Sequence, residues 1–67
     1  MSTAVQVEMT VREREVARYS ARGFTRQYIA KKLFISARTV DTHIARVYDK
    51  LQVSTKDELI ERYAGWL

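Results

Sequence analysis

The sequence predicts an all-α fold of four short helices, at about residues 10–22, 25–33, 37–51 and 55–66, and three observations carry that prediction. Apolar residues recur at steps of three and four through these stretches, the period of a single helix face. Each stretch opens on a side chain suited to cap it: Thr10, Thr25, Ser36, and Ser54 or Thr55. The 67 residues contain no Pro and only two Gly, and Gly23 falls at the first break in the pattern.

Residues 1–8, MSTAVQVE, show no period and no turn chemistry. They read as a flexible leader, or the remnant of a linker to an upstream domain, so the domain proper is expected over residues 9–67. Thr10-Val11-Arg12-Glu13 forms a capping box, in which the Thr hydroxyl and the Glu carboxylate each satisfy the other residue's backbone N–H. The helix that follows turns Val16, Ala17 and Ser20 inward, with charges of alternating sign outside. Gly23 ends it in the left-handed conformation, and Phe24 then falls where a Schellman motif places an apolar contact with Tyr19.

Ile29, Ala30 and Leu33 give the second helix its inward face, and Val40, Ile44, Val47 and Leu51 do the same for the third. The turn between them is tight, with Phe34 at its tightest point. A left-handed backbone there costs a residue with a Cβ about 1 kcal/mol relative to Gly, so Phe34 is expected to regain it by burying its ring. Gln52 poses the same problem before the last helix. That helix carries Leu59, Ile60, Tyr63, Ala64, Trp66 and Leu67, more apolar surface than docking one short helix requires.

Composition narrows the function. No Cys means no disulfide or thiolate-metal framework, and the longest apolar runs are far too short for a membrane span. With one His, no Gly-rich loop and little bulk to enclose a pocket, the chain is not expected to be an enzyme or to carry a cofactor or metal. It is expected to be soluble and cytoplasmic. Formal net charge is +4 with a pI near 9.8, and residues 24–35 hold Arg26, Lys31 and Lys32 with no acid among them. An anionic partner for the middle of the chain follows.

Two helices joined by a tight turn, the second with one greasy and one polar side, are a common device for placing side chains in the DNA major groove. With the Val/Ile/Leu stripe facing inward, about 100° per residue puts Arg38, Thr42, Ala45 and Asp49 opposite it, flanked by Asp41 and Arg46. Thr42 suits a thymine methyl or a hydrogen bond to either base of a pair. Arg46 suits guanine O6 and N7, and equally a phosphate. Asp41 suits either a cytosine N4 amine or an ion pair with Arg38, the latter favoured because phosphates repel a free carboxylate. His43, on the flank, reads as structural or phosphate-adjacent.

The blocks MTVREREV, ARGFT, IAKKLFIS, RTVDTHI and VYDKLQV, in this order and at these separations, resemble the LuxR/GerE-type helix–turn–helix domain of bacterial transcription regulators. The resemblance covers residues 9 to about 60. It implies a four-helix domain whose third helix enters the major groove of double-stranded DNA and whose fourth forms a dimer face. It implies phosphate contacts at Thr25, Arg26, Gln27, Thr39 and Lys50, and groove-facing positions at Asp41, Thr42 and Ala45, with Arg46 alongside. The family usually has Lys or Arg where this chain has Asp41 and Ala45, and often Gly where it has Phe34 and Gln52. The expected dimer face is Leu59, Ile60, Tyr63 and Trp66, pairing two copies either free or only on DNA. RNA polymerase is a further expected partner. The alternative is a protein–protein docking module of the transcription machinery, like region 4 of a sigma factor.

Overall fold

The computed structural model describes residues 8–65, and these form four helices with no strand among them: α1 (Val11–Ala21), α2 (Arg26–Leu33), α3 (Ala37–Leu51) and α4 (Lys56–Tyr63). The expected leader falls on residues 1–7, which lie outside the described residues apart from Glu8, as do Trp66 and Leu67. The last helix therefore ends at Tyr63, three residues short of the expectation.

Every helix start obeys the capping chemistry. The Glu13 N–H donates to Thr10 Oγ1 at 3.0 Å and the Thr10 N–H to Glu13 Oε1 at 3.1 Å, the reciprocal box. Thr25, Ser36 and Thr55 each accept through the hydroxyl from the backbone N–H three residues on. At the fourth helix the choice between Ser54 and Thr55 goes to Thr55, and the Glu58 carboxylate accepts from the Ser54 N–H at 2.8 Å.

Three helix ends repeat one motif. The N–H groups of Phe24, Ile35 and Val53 donate to the carbonyls of Tyr19, Ala30 and Tyr48, five residues back, and those of Gly23, Phe34 and Gln52 close the inner bond. The three residues between helix and exit are all left-handed, at φ 92° for Gly23 and 58° for Phe34 and Gln52. A Cβ on Gly23 would meet no atom, so glycine is there for its backbone freedom and not for space. The expected Phe24–Tyr19 contact is present, ring centroids 5.9 Å apart and edge to face, with Tyr28 stacked on Phe24 at 4.5 Å.

Phe34 overturns the expectation of a buried ring: it is 94% exposed. The Schellman geometry supplies the reason, because the apolar contact of the motif is made by the following residue, and Ile35 is the one packed into the core. The left-handed residue itself points away from both helices. Gln52 offsets its own strain differently, its side-chain amide donating to the Asp49 carbonyl at 2.9 Å.

The core has two halves that share α1 and α3. Val16, Ile29, Ala30 and Val40 form one, with Ile44 and Leu33 packed against it. Ala17, Ala21, Val47, Leu51, Val53 and Leu59 form the other. The stripe on α3 thus serves both, its first turns meeting α2 and its last turns meeting α4. No helix among the described residues is long and apolar enough to cross a membrane.

Because the Phe34 ring contributes no burial, Phe34→Gly should leave the domain between unchanged and about 1 kcal/mol more stable. Urea unfolding measures it, and a loss beyond about 1 kcal/mol would show that the ring has a packing role after all.

Candidate nucleic-acid interface

The outer side of α3 is open. Arg38, Asp41, Thr42, Ala45, Arg46 and Asp49 are all exposed, while Val40, Val47 and Leu51 on the opposite side are at most 2% exposed. The Thr42 hydroxyl donates to the Arg38 carbonyl at 3.2 Å, which fixes its rotamer and leaves a lone pair available. Thr39 is half-buried, its hydroxyl 3.0 Å from the Ser36 hydroxyl and its N–H capped by the same oxygen. Thr25, Arg26 and Gln27 sit together on the exposed first turn of α2, with the Thr25 hydroxyl accepting from the Tyr28 N–H at 3.1 Å.

The two cations expected to hold phosphates have protein partners. Arg26 donates side-on to Asp41, Nε to Oδ1 and Nη2 to Oδ2, both at 2.7 Å. This joins the first residue of α2 to the N-terminal half of α3, and it corrects the pairing expected between Asp41 and Arg38. The Arg26 guanidinium holds the Asp41 carboxyl below its usual range, and the carboxylate raises the guanidinium in turn. Lys50, also expected on a phosphate, places Nζ 2.6 Å from Glu13 Oε1. Its ammonium is partly covered and the Glu13 side chain is only 3% exposed, so this pair belongs to the packing between α1 and α3. Glu13 completes a capping box and an ion pair through the same oxygen.

His43 is half-buried on the flank, and its Nδ1 is buried without a hydrogen-bond partner. Of the expected dimer face, Leu59 is corrected: it is fully buried in the core of its own chain, against Ala17 and Val47. A helix docked by one turn needs its deepest residue there, which removes it from any exposed surface. Ile60 and Tyr63 are half-buried, the Tyr63 hydroxyl donating to the Leu51 carbonyl at 3.2 Å, and Trp66 lies outside the described residues.

Against known proteins, the family model described as bacterial regulatory proteins, luxR family, matches residues 7–63. The chain belongs to the LuxR family. This LuxR-family chain is 43% identical over 56 residues to the tetrathionate response regulatory protein TtrR of Salmonella typhimurium, covering 84% of the chain and 27% of the relative. It is 38% identical over 53 residues to the oxygen regulatory protein NreC of Staphylococcus carnosus, covering 79% and 24%. The Mycobacterium bovis protein Mb0914c is 41% identical over 56 residues, 84% of this chain and 6% of its own length. The LuxR-family chain thus spans about a quarter or less of these relatives. No solved structure matches it. It is a DNA-binding domain of the kind found in LuxR-family transcription regulators.

The Glu13–Lys50 pair makes a pH-dependent prediction. Lys50 holds the Glu13 carboxyl below its ordinary value of 4.5, against the opposing effect of burial. A carboxyl that titrates lower folded than unfolded contributes stability that is complete above the ordinary value and lost as pH falls through the depressed one. Glu13→Gln should therefore cost about 1–3 kcal/mol near neutral pH, because the amide oxygen can still cap but no longer pairs with the ammonium, discounted because the ammonium reaches solvent. Urea midpoints of the variant and the wild type should converge in acid. A constant gap across pH would show that the charge on Glu13 is not what stabilises the fold.

Proposed function

We propose that the domain binds double-stranded DNA sequence-specifically, with α3 in the major groove and the first turn of α2 against the phosphates. The observation that carries this reading is the open outer side of α3, where Arg38, Thr42, Ala45 and Arg46 are exposed beside Thr25, Arg26 and Gln27. Groove insertion centres on the N-terminal half of a recognition helix, which places Arg38 and Thr42 nearest the bases, Arg46 one turn further along and Asp49 outside. Thr42 and Arg46 are the main base readers. Thr25, Gln27, Thr39 and His43 border the backbone, and Lys50 acts through the fold. The regulator is proposed to act in the bacterial cytoplasm, where its duplex is.

Two copies are proposed to meet half-sites about one turn of DNA apart, pairing through α4. With Leu59 in the core, that face rests on Ile60 and Tyr63. Sedimentation with a palindromic duplex should show two domains per duplex, and a strict one-to-one complex would count against pairing.

A second reading, docking on a protein of the transcription machinery such as RNA polymerase, is favoured by the exposed Phe34 ring. It expects no salt-sensitive duplex binding, so a gel shift at low salt separates the two. In titrations at several salt concentrations, Thr42→Ala and Arg46→Ala should each cost about 1–3 kcal/mol on the best site and relax sequence preference. Lys50→Ala should change unfolding more than the salt slope. If Thr42→Ala and Lys50→Ala weaken all sequences alike, the assignment of readers is wrong.

A further inference from the structure

We propose that Arg26 and Asp41 act as one unit in recognition: Arg26 fixes and neutralises the Asp41 carboxylate, which reads the N4 amine of a cytosine in the major groove. This deepens the groove-helix reading and rests on it. Arg26 is then a positioning residue for a base contact, acting through Asp41.

The geometry points this way on three counts. The side-on pairing at 2.7 Å and 2.7 Å occupies one direction on each carboxylate oxygen, and an ionised carboxylate offers about four acceptor sites, so each oxygen keeps one for a base amine. The pair is exposed, 44% at the Arg26 side chain and 51% at Asp41, so a base edge can reach it. Asp41 directly precedes Thr42, in the half of α3 that enters a groove.

Electrostatics decides between this role and the bland one. A lone carboxylate among phosphates is repelled, which argues against Asp41 as a reader when it is considered alone. Paired side-on with a guanidinium, it presents acceptor oxygens with no net charge. Cytosine N4 and adenine N6 both donate in the major groove, and cytosine suits a carboxylate better because its amine has no N7 acceptor beside it. The guanidinium also ties the carboxylate to α2, whose first turn is held by the Thr25 cap. Orientation is therefore set by two helices and not by a free side-chain torsion. The side-on pairing commits the Nε hydrogen and one Nη2 hydrogen of Arg26 to Asp41 and leaves its three other N–H groups for a further acceptor.

Binding-site selection from random duplexes, run on wild type, Asp41→Asn, Arg26→Gln, Arg26→Lys and the Asp41→Asn/Arg26→Gln double variant, tests it. Wild type should enrich a cytosine at one position. Asp41→Asn should shift that position toward adenine, the base that an amide pairs with, leaving the rest of the motif unchanged. Arg26→Gln should lower cytosine discrimination there on the order of tenfold. Arg26→Lys, which keeps the charge but lacks the fork, should do nearly the same. The double variant should discriminate for cytosine no better and no worse than Asp41→Asn alone. If Arg26→Gln keeps the cytosine and weakens all sequences equally, Arg26 is a phosphate anchor and the proposal is overturned. A wild-type motif that Asp41→Asn leaves unchanged also overturns it, while DNA recognition by α3 stands. No motif at all from wild type would instead remove the DNA reading, and this proposal with it.

Discussion

The seam between α1 and α3 is the constraint on which the rest of the molecule depends. α3 is the longest helix, and its single apolar stripe must close two half-cores at once, one shared with α2 and one with α4. α1 supplies the opposing wall of both, through Val16 on one side and Ala17 and Ala21 on the other. At this size there is little apolar area to spare, so neither half can be given up. The Glu13–Lys50 pair lies across the same seam and ties the start of α1 to the last turn of α3. Rotating α3 by one residue would expose the stripe, break that pair and open both halves.

A helix locked on its inner side has no choice about its outer side. The residues about 180° from the stripe are presented to solvent because the stripe is buried, and the polar identities of Arg38, Thr42 and Arg46 are what a base edge and its phosphates can use. The three left-handed exits contribute by keeping the connections short. Ile35 and Val53 drop into the core straight after the turn, so α2 is held close to α3, α4 is returned onto α1, and the first turn of α2 borders the outer side of α3. The strain at Phe34 and Gln52 follows from the need for two abrupt turns in a chain with two glycines.

Local chemistry made most of the fold legible in the sequence. Caps at Thr10, Thr25 and Ser36, the Gly23 exit with its Phe24–Tyr19 contact, and the stripe on α3 all depend on residues within one or two turns of each other. The in-register blocks then identified the family. Features set by partners distant in the chain were not legible. Glu13 and Lys50 are 37 residues apart and Arg26 and Asp41 are 15, and in each case one member already had a plausible local role that hid the long-range one. Phe34 escapes a sequence reading because hydrophobicity set against strain does not say which residue of the motif points inward. The burial of Leu59 is hidden in the sequence because periodicity counts apolar residues on a helix without telling the deepest from those at the rim. For the candidate site, the sequence separated inner from outer residues on α3 but could not say which charges were already spent within the protein.

Amide chemical-shift mapping during titration with a selected duplex tests the central claim most directly. The account predicts that the shifts cluster on residues 25–28 and on the first ten residues of α3, with the solvent side of α1 unmoved. Shifts concentrated on α1 or α4, with the outer side of α3 unchanged at saturation, would contradict it.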